Sequence, residues 1–281
     1  SKASRDLATL LLSNAADMGE AESMTRLCAT TAKALLGVRR AGGDDLDSVF
    51  HALSLCSFSL QNLVEVLRCD AEQNKPRLQE LEATLNELIV TLTAQLDLCN
   101  EEPLESLEFD VGSCQGRRSE AELELAVLYK RHGNRAGARN LAQRIVSDSS
   151  TLPLVRARAM LFLAVFHATS EAEDKEPEAP LLDRLAAAEP LVSRACGLLS
   201  GILHDQIPCK QWTSTALKWS ELQIALQLHE NVLYGLGREA EAADVARKYN
   251  EIFGASDDEG EDQSEEEEGE TGAKGEEDGV V

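Results

Sequence analysis

Three kinds of residue in this chain could act on a small molecule: five histidines, seven cysteines, and the aspartates Asp44, Asp45 and Asp47. The aspartates follow Gly42-Gly43, and oxygen ligands so closely spaced can hold Mg²⁺ against a diphosphate. Such a site needs a second acidic motif on a facing helix, and the sequence offers none. The stretch reads instead as a loop and then a helix N-cap, with Asp45 or Asp47 accepting from the first free N–H groups. His51, His132, His167, His204 and His229 are isolated, in no HExxH pair and beside no nucleophile motif. Cys28, Cys56, Cys69, Cys99, Cys114, Cys196 and Cys209 are scattered, with no CxxC and no histidine at zinc-ligand spacing. They read as small core residues, and their odd number suits a reducing compartment, the cytosol or the nucleus. No glycine-rich phosphate loop is present. The sequence therefore points to no catalytic residue, no cofactor and no metal, and to a protein that is not an enzyme.

Composition narrows the alternatives. Apolar residues make up 43% of the 281 but aromatics only 4%. Leucine and alanine dominate, which favours thin, repetitive helix packing over a sheet sandwich. Fifty acidic residues against 27 basic give a net charge of −23. From Ala255 onward there are thirteen acidic residues and one basic, Lys274, so this tail carries −12 of that charge and the rest of the chain −11. Such a surface repels phosphate backbones and anionic lipid, so neither direct nucleic-acid binding nor membrane binding is expected, and a protein partner with a basic segment is. No run approaches the roughly 18 uninterrupted apolar residues of a membrane span, and Leu10 to Leu12 is too short for a signal-peptide core.

The elements that carry these residues are helices. Apolar residues recur at three and four positions over Arg5 to Asp17, Ala21 to Val38, Leu46 to Arg68, Pro76 to Leu98, Ser119 to Arg131, Arg135 to Val146, Pro153 to Ala168, Leu181 to Leu203, Lys210 to Leu236 and Arg238 to Phe253. Met18-Gly19-Glu20 is expected to separate the first two. Leu78, Leu81, Leu85, Leu88, Leu92 and Leu96 form one stripe, about three heptads long, which suits packing inside the molecule better than a coiled-coil seam. The organisation expected is N-terminal helical hairpins over 1–100, a loop over 101–118, helical repeats over 119–253 with an acidic insertion at 170–180, and a disordered acidic tail over 254–281.

Self-similarity adds a further signal. In AVLYKRHGNRAGARNLAQRI the order Ala126, Tyr129, Gly133, Ala138 places two residues on one helix face, a turn, and a small residue packing back. In LYGLGREAEAADVARKY, Leu233, Gly237 and Ala242 take the places of Tyr129, Gly133 and Ala138, an offset of 104 residues, close to three periods of about 34. Glu230 stands where Ala126 would be, and the early tryptophan of the repeat pattern is absent from both units. On these residues the second half resembles the tetratricopeptide repeat. The resemblance implies an all-α fold, an α-solenoid of antiparallel helical hairpins, whose business is binding protein. Trp212 and Trp219, seven apart, share a helix face and read as core residues or as a groove anchor for a peptide. Lys130, Arg131 and Asn140 are the residues of one unit suited to clamp a partner's carboxylate. No matching set recurs, so an Hsp-type cochaperone is not expected.

The tail is of another kind. Glu265, Glu266, Glu267 and Glu268, with abundant glycine and few apolar residues, suit screening of a Lys/Arg-rich client. Ser256 and Ser264 precede acidic runs and resemble acidophilic kinase sites, where a phosphate would deepen the charge. The function expected is an interaction adaptor or escort chaperone for a basic client such as a ribosomal protein or histone. The alternative is a scaffold subunit of a large assembly.

Overall fold

The computed structural model describes residues 18–42, 46–71, 75–101, 111–169, 180–206 and 212–253. Among these residues the secondary structure is entirely helical: α1 (Met18–Gly42), α2 (Leu46–Ala71), α3 (Lys75–Glu101), α4 (Val111–Arg131), α5 (Arg135–Ser147), α6 (Pro153–Ala168), α7 (Leu181–Gln206), α8 (Trp212–Gly235) and α9 (Glu239–Phe253). The helix expected over Arg5 to Asp17, most of the insertion, Asp45 and the whole tail, with Ser256, Ser264 and Glu265 to Glu268, lie outside the described residues.

Two boundaries differ from the sequence reading. Met18, Gly19 and Glu20 do not break the chain but form the first turn of α1. The loop expected to run to residue 118 ends earlier, because α4 starts at Val111. Gly112 and Gly116 suggested loop, yet Gly116 is buried where the chain after α5 crosses over it: a Cβ on Gly116 would lie 2.4 Å from Leu152 Cδ1. Cys114, fully buried, donates its thiol to the Leu92 carbonyl at 3.7 Å. Glycine here serves close approach within a helix, not a turn.

Each helix packs against the one before it and the one after it, and α4 also touches α6. The leucine stripe of α3 turns inward: Leu81, Leu85, Leu88, Leu92 and Leu96 are buried and Leu78 partly so, against Ala29 and Ala32 of α1, Leu60 and Leu67 of α2, and Leu125 of α4. Each buried leucine is worth about 2 kcal/mol of transfer free energy. A second core joins α6 to α9 around Met160, Val192, Leu199, Leu222 and Leu226. Between them Ile145, Val155 and Ala159 form a small bridging cluster beside Leu123. The core therefore divides after α4, which packs with the first half. Leu46–Arg68 and Leu181–Leu203 are long and apolar enough to cross a membrane, at mean hydropathy 1.2, and both contribute buried residues to these two cores.

Ion pairs join alternate helices. Arg26 and Lys33 of α1 pair with Glu80 and Glu87 of α3, and Arg77 of α3 returns to Glu22 of α1 at 2.8 Å. These arginines hold the carboxyls of Glu22 and Glu80 below their ordinary range. Arg68 of α2 pairs with Glu124 of α4. Arg158 of α6 lies between two carboxylates, Glu221 of α8 at 2.5 Å and Glu120 of α4 at 3.7 Å. Single ion pairs thus tie α2 to α4, α4 to α6 and α6 to α8, and of these pairs α4 and α6 also pack against each other.

Candidate protein-binding surface

The two stretches that resemble each other in sequence make the same turn. Gly133 and Gly237 adopt φ of 77° and 74°, the left-handed region that glycine reaches without strain. At the first turn the Asn134 N–H donates to the Tyr129 carbonyl (2.8 Å) and Gly133 N–H to that of Lys130 (3.1 Å); at the second, Arg238 donates to Leu233 and Gly237 to Tyr234, both at 3.0 Å. These are the paired bonds of a Schellman motif, which satisfy the last carbonyls of α4 and α8. The next helix then starts alike, with Ala138 and Ala242 donating to Asn134 and Arg238 at 3.0 Å. Asn134 caps α5 through its side chain, accepting from Gly137 N–H at 3.0 Å, while at the second turn Arg238 pairs with Glu241 (2.7 Å). Ala126, Ala138 and Ala242 are fully buried, Leu233 is buried, and Tyr129 packs partly buried on the first core.

The remaining residues singled out by sequence are dispersed. Trp219 is half-buried and meets Phe253 of α9 edge-on at 5.8 Å, which engages it inside the second core. Trp212 opens α8. Lys130 and Arg131 lie in the last turn of α4, and Asn140 is exposed on α5. Arg131 faces a cleft that Asn140 does not line.

That cleft, about 190 Å³, opens between α2 and α4. Its floor is Leu81 and Leu85 of α3 with Leu128 of α4, and its walls are Val127, the Arg68–Glu124 pair and Arg131. Burial pushes the Glu124 carboxyl above its ordinary range, and neighbouring Arg68 opposes this. Arg68 also reaches Glu65 at 3.0 Å. Arg131 has no carboxylate partner among the described residues. Farther along, the guanidinium groups of Arg135 and Arg139, one turn apart on α5, lie 4.7 and 5.2 Å from the ring centre of Phe166. The spacing of four between the two arginines was visible in sequence; the ring was not. Neither the cleft nor the Arg158 link left a local signal, since each joins helices distant in the chain.

Among the described residues no three His, Cys, Asp or Glu side chains cluster as metal ligands. Burial pushes the Cys196 thiol up to about 11 and raises that of Cys114, away from the reactive thiolate. His132 Nδ1 lies 3.5 Å from Glu82, and His229 Nε2 lies 3.7 Å from Glu189, too far for a hydrogen bond.

No family model and no curated protein matches the chain. Among solved structures the chain is similar to BtubC (BKLC) from P. vanneervenii, with a TM-score of 0.32 and 12% identity over 90% of this chain and 99% of that one. It is similar also to the DHF58 filament (TM-score 0.31, 18% identity, 85% of this chain and 94% of that one) and to the DHF119 filament (0.23, 16%, 83% and 93%). Superpositions this loose carry no argument about function.

Proposed function

We propose that the chain is an α-solenoid of tetratricopeptide-like hairpins that acts as a protein-interaction adaptor or escort chaperone, its helical face holding a protein segment while the acidic tail screens a basic client. The observation that carries this reading is the duplicated turn: Gly133 and Gly237, 104 residues apart, share positive φ, the same hydrogen bonds and a buried alanine five residues on. The row α2, α4, α6, α8, linked through Arg68 and Arg158, supports it, because a solenoid places alternate helices side by side and presents them as one extended surface. The charge of the tail supports the choice of a basic client, such as a ribosomal protein or histone, in the cytosol or nucleus.

The test is capture from cell extract on the full chain, with the captured proteins weighed against it. Lys/Arg-rich proteins bound singly and released by salt are the expected result. A set of proteins at fixed stoichiometry that salt does not release would make the chain a scaffold subunit instead.

A further inference from the structure

The cleft between α2 and α4 combines two features that ask for one occupant. Its floor of Leu81, Leu85 and Leu128 and its wall at Val127 are aliphatic, and its rim carries Arg131, which no carboxylate neutralises among the described residues. A segment with an aliphatic residue beside acidic ones fits both. In sequence the stretch that contains Arg131 is basic: residues 117–158 hold nine Arg or Lys against four Asp or Glu, in a chain that is −23 overall. The acids within it are already engaged, Glu120 and Glu122 with Arg158 and Arg144, Glu124 with Arg68, and Asp148 with Arg118.

The chain itself contains such a segment. Between Ala255 and Val281 the only apolar residues larger than alanine are Val280 and Val281, and they directly follow Glu276, Glu277, Asp278 and Gly279. We propose that the α2–α4 cleft is the docking site for residues 276–281, with Val280 and Val281 over Leu81, Leu85 and Val127 and the preceding carboxylates beside Arg131. The reach is sufficient. The 23 residues from Phe253 to Glu276 span roughly 75 Å when extended, and across the helices between them and the cleft Arg158 ties α8 to α6 and α6 to α4. Docking at 276–281 fixes the far end of the acidic run Glu265 to Glu268, so that run is held in a loop along the helical face. This goes beyond the adaptor reading and stands or falls separately from it.

Methyl-labelled full-length protein tests the docking directly. Nuclear Overhauser contacts are expected between the methyls of Val280 or Val281 and those of Leu85 or Val127. The double variant Val280→Ala, Val281→Ala is expected to shift the Leu81, Leu85 and Val127 methyls. Arg131→Glu, at an exposed position, should lower the docked population by up to about fivefold, the worth of one surface ion pair. Val280 and Val281 methyls at random-coil positions, or contacts to another face, would overturn the proposal. So would contacts that appear only between differently labelled chains, which would assign the cleft to a second copy. In each of those outcomes the adaptor reading survives with an open cleft.

Discussion

At Gly133 and Gly237 the backbone conformation, rather than any contact, demands glycine: a Cβ at either position would meet no atom within 4 Å, so a substitution there is strained only through its positive φ. Gly133→Ala and Gly237→Ala are therefore expected to cost about 1 kcal/mol each, nearly equally, in chemical denaturation. A much larger loss at one of them would show that its turn also packs against something. Two histidines contribute to the behaviour toward mild acid. His167 and His229 are both held below the ordinary value of 6.5, chiefly by burial; Arg139 adds to this at His167, and at His229 Arg238 adds to it while Glu189 and Glu241 oppose it. The unfolded chain then takes up protons that the folded chain refuses. The contribution is complete above the ordinary value and is lost as the pH falls through it toward the lowered folded values. Denaturation midpoints measured at pH 7.5, 6.5 and 5.5 should decline, and His229→Gln should flatten the decline.

At the level of helices, legibility followed the range of the interaction. The α3 leucine stripe and the start of α6 at Pro153 were readable because a helix face and an N-terminal proline are set by residues a turn apart. The beginning of α4 was not, because Gly116 answers to Leu152, thirty-six residues away. The division of the core after α4 was hidden for the same reason. Arg158 extends this point to energetics, since its carboxylates come from helices on either side, with Glu221 the closer and more buried partner. A double-mutant cycle on Arg158→Gln and Glu221→Gln is expected to give a coupling of about 1 kcal/mol. Coupling indistinguishable from zero would mean that α6 and α8 are held together by their apolar contacts alone.

Across the whole molecule the charge is unevenly placed: a positive stretch over 117–158 lies between acidic flanks, and thirteen acidic residues are gathered after Ala255. Net charge and its segregation were fully legible in sequence, since they need no fold. Which helical surface meets a partner was not, because the cleft and the linked row exist only once distant helices are side by side. An acidic run attracts a basic protein over long range and leaves recognition to shorter contacts. Deleting residues 256–281 removes that attraction without touching a packed core residue, so circular dichroism of the truncated protein should remain helical. The decisive measurement is the affinity of the full-length and truncated proteins for the captured basic client across a salt series. The account predicts that the full-length protein binds more tightly at low salt and that the two affinities converge as screening increases. Equal affinities at low salt would contradict it, leaving the tail no part in holding the client.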